Sequence, residues 1–171
     1  AGNFYRYFPS KNAIIEAIIA QDLAAIKADF QKIMESDQPL ADLTAAFQMR
    51  IDDLPCAKDG PLWAEIDAAA ARRPEIAEKV RAMESAVHGY LLSVFVRLSG
   101  LPLEQVREQF SGQAAFLILL FKAATQRPAQ KDCQMMLELG NDLRQIILAT
   151  IARTLDEVAQ ASTQPKFETH L

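Results

Sequence analysis

For most of its length this chain repeats apolar residues at intervals of three and four, the spacing that places them on one face of an α-helix. Phe4 and Phe8 form the first such pair, on a short helix that Pro9 ends. Ser10 stands where an N-cap belongs, before a run in which Ile14, Ile15, Ile18, Ile19, Leu23, Ile26, Phe30 and Ile33 keep the period. Ser36-Asp37-Gln38-Pro39 interrupts it. A third stretch carries Leu40, Leu43, Phe47, Ile51 and Leu54 and stops at Pro55. The turn Lys58-Asp59-Gly60-Pro61 leads into Leu62, Trp63, Ile66 and an alanine run to Ala71, closed by Arg72-Arg73-Pro74. Ile76, Val80, Met83, Val87, Tyr90, Leu91, Val94 and Leu98 then mark a long helix that Ser99-Gly100 ends. Pro102 to Gln126 and Asp132 to about Ala161 read as the last two helices, and residues 162–171 as a polar tail. No alternation of strand type appears. The pattern predicts an all-α bundle of one short helix and six longer ones.

Two segments are more apolar than a simple bundle needs. Ala114 to Phe121 is apolar on every side of its helix, so it must be covered from more than one direction. The last helix carries a broad stripe from Met136 through Leu139, Leu143, Ile147 and Ile151 to Val158. Adjacent antiparallel helices of this kind suit a core on one side and a two-fold copy on the other.

Composition narrows the setting. A net charge of -4 excludes a general polyanion binder, so any nucleic-acid contact must be local. Residues 1–15 hold Arg6 and Lys11 and no acidic residue, which makes that end the positive one. Cys56 and Cys133 lack CxxC spacing and are too few for a disulfide framework, so a reducing cytoplasm is expected. The longest apolar run is far short of a membrane span, and no signal-peptide pattern opens the chain. No phosphate loop, nucleophile elbow or zinc spacing is present. A di-iron bundle needs paired Glu-x-x-His motifs, whereas His88 and His170 are the only histidines, the latter in the tail. The Asp52-Asp53 doublet is too sparse for a di-metal site. No catalytic residue, metal or cofactor is expected.

The opening residues add a specific signal. GNFYRYFPSKNAIIEAII closely resembles the end of the helix-turn-helix of TetR-family transcriptional regulators, in Gly2, Tyr5, Tyr7, Phe8 and Lys11 and the apolar pattern through Ile15 and Ile18. WAEIDAAAARRPEIA, Trp63 to Ala77, is similar to the mid-region of many TetR-type ligand domains, where an alanine-rich helix ends at an Arg-x-Pro corner. The resemblance implies a dimeric, bacterial, ligand-responsive repressor that binds a palindromic double-stranded operator. Residues 1–35 would be the end of the DNA-binding domain and residues 36–161 the ligand-binding and dimerisation domain. About 30–40 further residues, forming two helices, would precede Ala1.

The resemblance also implies site residues. Tyr7 and Lys11 would contact phosphates, with Tyr5 and Arg6 beside them, Gly2 allowing close approach and Asn3 reaching a base edge. Lys11 sits in a first helical turn, where backbone N–H groups already favour an anion. A hydrophobic effector would lie among Phe47, Ile51, Trp63, Ile66, Met83, Val87, Tyr90, Phe110, Phe116 and Leu120, anchored by Arg50, His88 and Gln113. The last two helices would form a four-helix bundle with a second copy through Leu117, Phe121, Leu139, Leu143, Ile147, Thr150, Ile151 and Thr154. At helical spacing each of these apolar residues also suits a plain core. A non-catalytic helical dimerisation or adaptor module is the alternative.

Overall fold

The computed structural model describes residues 10–52, 60–125 and 134–161. It contains α1 (Lys11–Glu35), α2 (Pro39–Asp52), α3 (Gly60–Ala70), α4 (Pro74–Ser99), α5 (Leu103–Thr125) and α6 (Gln134–Gln160), with no strand among the described residues. The protein is all-α, and these six helices fall where the periodicity puts the six longer ones. The short helix expected around Phe4 and Phe8 lies outside the described residues.

Local chemistry explains the boundaries. The extended Ser10 caps α1, its Oγ accepting from the Ala13 N–H at 3.1 Å. At the other end Ser36 turns extended, its Oγ accepts from the Gln38 N–H at 2.9 Å, and Pro39 opens α2. The Arg97 guanidinium donates to the Met34 and Ser36 carbonyls, so α4 caps the C-terminus of α1. Pro74 starts α4, and Gly100, at φ 68°, ends it in the left-handed conformation, its N–H reaching the Val96 carbonyl at 2.9 Å. The buried Ser99 hydroxyl donates to the Phe95 carbonyl at 2.7 Å and accepts from Leu101 at 3.3 Å. Past that corner the chain direction turns through 117° into α5.

α4 is the central element, packed against each of the other five described helices. Its buried face meets two separate cores. The larger joins the C-terminal end of α1 to α2, α5 and α6 around Phe95, which is fully buried and edge-on to Phe110 at 6.4 Å. Burying a side chain like Phe95 contributes about 1.5–3 kcal/mol by transfer alone. The smaller core joins the N-terminal halves of α1 and α4 to α3 through Ile15, Ile19, Ile66, Ala69, Ile76 and Val80. Between the cores, Leu23 and Ile26 of α1 and Val87 of α4 are only half-buried and belong to neither.

No single helix among the described residues is long and apolar enough to cross a membrane.

Candidate functional site

The gap between the cores coincides with a change of chemistry along α4. Reading its inner stripe by fours from Ile76 and Val80, the next positions are Glu84 and His88 before apolar packing resumes at Leu91, Leu92 and Phe95. Polar groups on a core-facing stripe need partners, and neighbouring helices supply them. Lys122 of α5 donates from Nζ to Glu84 Oε1 and lies 3.9 Å from Asp67 Oδ1 of α3, so one ammonium ties three helices. These side chains are 28–39% exposed, which keeps the interaction screened and modest. The His88 ring, through Nε2, lies 3.0 Å from the Ser111 carbonyl oxygen and 3.2 Å from its hydroxyl.

Here α3, α4 and α5 border an open groove of about 690 Å³. From α4 it receives Arg81, Glu84, Ser85 and His88, a spacing that puts them on one face; Asp67 stands at the α3 side. From α5 it receives Ala115, Ile118, Leu119 and Ala123, with Lys122 among them. One wall is therefore polar and the other apolar. A shallower groove of about 390 Å³ lies between α5 and α6, lined by Gly112, Gln113, Phe116, Arg153, Thr154 and Glu157.

The expected effector residues do not converge on one cavity. Ile51, Ile66 and Phe110 are buried in the two cores as packing. Phe47 meets Phe121 edge-on at 6.2 Å, and Leu120 packs on the larger core. Tyr90 stands against Phe30 at 5.6 Å. Trp63 and Met83 border the smaller core, the indole N–H donating to Asp22 at 2.8 Å. Val87 lies half-buried in the gap and His88 in the larger groove, whereas Gln113 and Phe116 line the other. Arg50 is exposed and bound to Asp29 at 2.8 Å. That guanidinium lowers the Asp29 pKa from its ordinary value, first by its hydrogen bond; partial burial opposes the shift, and charge attraction and Lys32 add to it. Asp67, Glu84 and Lys122 were missed because isolated charges on long helices read as solvated faces. The usable signal was Glu84 and His88 standing on the α4 stripe itself.

The expected interface residues divide in the same way. Leu117, Ile147, Ile151 and Thr154 are buried within the single chain, so their helices' inner faces cover them. Phe121 packs on the larger core, and Thr150 is half-buried, its hydroxyl donating to the Ile146 carbonyl at 2.7 Å. Leu143 is exposed, together with Ile146 on α6 and Phe116 and Leu119 on α5; Ile146 and Leu119 are 62% and 63% exposed. Among the described residues, the outward apolar surface of the facing parts of α5 and α6 sits on those four, with Met49, Leu62 and Leu103 exposed elsewhere. The side chain of Leu139 lies outside the described residues.

At the other end, Gly2, Asn3, Tyr5, Arg6 and Tyr7 lie outside the described residues. Lys11 is exposed at the first position of α1. Beside it Asn12 donates to Glu75 at 3.1 Å and accepts from Arg73 at 2.6 Å, while Glu16 pairs with Lys79 at 3.9 Å. These contacts fasten the start of α1 to the start of α4.

Among the described residues no group of His, Cys, Asp and Glu is arranged to hold a metal ion. Compared with known proteins, the chain matches no family model, no curated protein and no solved structure.

Proposed function

We propose that this chain is the effector-binding and dimerising body of a TetR-like transcriptional repressor, a dimer that binds a palindromic operator and is released by a small effector. The observation that carries the reading is α1. It runs unbroken from Lys11, inside the segment with the helix-turn-helix resemblance, to Glu35, just past Ile33 of the larger core. Along the way it is fastened to α4, the helix that carries the polar wall of the groove. A ligand seated beside α4 thus has a continuous physical route to Lys11. In a dimer the two DNA-reading ends must lie about 34–36 Å apart, one turn of the duplex, so a small shift at each end weakens binding. The ligand acts only through a difference in its affinity for the two arrangements. Phe116, Leu143 and Ile146 are the surface through which the copies would meet, while Leu119 lines the groove.

The test uses the full-length parent, carrying the helices expected before Ala1, and DNA from upstream of its own gene. Fluorescence anisotropy at two salt concentrations, against scrambled DNA, should give sequence-specific binding. Lys11→Ala should weaken it on all sequences and reduce the salt slope by about one, the signature of one lost phosphate contact. A folded dimer with no preference for any upstream DNA over scrambled sequence would overturn the reading. The exposed apolar residues of α5 and α6 would then favour a dimerisation or adaptor module.

A further inference from the structure

We infer that the groove between α3, α4 and α5 takes an amphiphilic anion: an apolar chain or ring lying along α5 with a carboxylate or similar oxyanion at Arg81 and Ser85. The inference rests on the reading of this groove as the effector site and adds the chemical class of what fills it.

Hydrogen-bonding capacity decides the sign of the head group. Glu84, a carboxylate on the polar wall, already accepts from Lys122, which also lies within ion-pair distance of Asp67. Arg81 and Ser85, one turn apart on α4, have no hydrogen-bond or ion-pair partner among the described residues, and both are exposed. A guanidinium offers several donors in a planar fork, and a hydroxyl adds one more. This part of the wall therefore has donors to spare, and an oxyanion is the ligand group that uses them, with charge-assisted bonds. A cationic head at that position would meet the like charge of Arg81.

The opposite wall decides the body. Ala115, Ile118, Leu119 and Ala123 repeat at threes and fours along α5, so they form one continuous apolar strip of about 10–12 Å. Leu119 is 63% exposed, and a ligand laid on the strip covers it. Lys122 stands within that strip, its ammonium already engaged by Glu84.

Isothermal titration calorimetry of the 171-residue chain tests this with decanoate, decanol and decyltrimethylammonium, all below their micelle thresholds. Decanoate should bind saturably, one per chain, while the other two bind at least about tenfold more weakly. Arg81→Gln, at an exposed position that leaves packing untouched, should weaken decanoate binding about tenfold with an unchanged thermal melt. Leu119→Gln should weaken decanoate and decanol alike. Equal or tighter binding of the cation, no decanoate binding, or binding that Arg81→Gln leaves unchanged would each overturn the inference. The regulator reading is separated by the operator titration of the full-length parent. Specific DNA binding without decanoate binding removes the ligand class alone. Decanoate binding through Arg81 with no specific DNA binding removes the regulator and leaves the site.

Discussion

The two cores that flank the middle of α4 are held by different means. The larger is sealed by apolar residues from five helices, with Phe95, Leu91, Leu117, Ile151 and Leu155 at or near zero exposure and the Phe95–Phe110 pair at its centre. The smaller draws on α1, α3 and α4 only, and its rim is polar: Asn12 with Glu75 and Arg73, Glu16 with Lys79, Trp63 with Asp22. Close-packed apolar contacts are hard to rearrange, whereas exposed polar pairs contribute little and reform easily. The same helix thus runs from a fixed region into a yielding one, and the polar groove lies at the change.

The larger core should be the stronger of the two. Phe95→Ala should destabilise the protein by about 3–5 kcal/mol, read as a fall in the urea midpoint, because it opens a cavity at a fully buried site. Ile66→Ala, in the smaller core, should cost about 2–3 kcal/mol, the low end for such a truncation, because a small cluster relaxes more readily around the space left. Native-state hydrogen exchange sharpens the contrast. Amides at residues 91–95 should exchange only through global unfolding, and those of α3 through smaller openings. Equal protection of the two regions would remove the distinction.

At the boundary itself, Lys122→Met should cost about 1 kcal/mol, because it leaves Glu84 and Asp67 without their shared cation at a partly exposed site. Urea denaturation with Glu84→Gln as the second arm measures the coupling. A cycle with no coupling would show that apolar packing alone joins α5 to α4 there.

The smallest effect is at the outer face of the larger core. The folded Asp29 pKa lies below its ordinary 3.8, so the Arg50 pair contributes stability above that value and loses it as pH falls through the folded pKa. Arg50→Gln should therefore cost a few tenths of a kcal/mol at about pH 6, since the pair is exposed, and progressively less as the pH falls through the folded pKa. Carboxyl NMR should place Asp29 higher in the variant. An unchanged titration would exclude the pair as the cause.

Much of this architecture was legible in the sequence, and the part that was not has a physical reason. Breakers such as Ser36 to Pro39 and Ser99-Gly100 are local chemistry, so the helix ends at those two corners followed from residue types alone. Facing is a property of the whole fold. In Ala114 to Phe121 every side is apolar, and nothing in the run says that Ala114 and Leu117 turn inward while Phe116 and Leu119 stay outside. For the same reason the expected effector and interface residues were scattered by the structure. The groove depends on Asp67, Glu84 and Lys122, which are 17 and 38 positions apart along the chain and meet only through tertiary packing. Periodicity carries no information about that meeting.

The Arg97 fork has a mechanical corollary. Its bonds end on backbone carbonyls beside the larger core, so the foot of α1 is tied through the main chain, while its head rests on the smaller core and on side-chain pairs at the rim. A rod pinned at one end works as a lever. With 25 residues, α1 is about 37 Å long, and a swing of about 10° about Arg97 carries its far end about 6 Å. Lys11 rides on that far end, so the longest travel in the helix falls at an exposed cation.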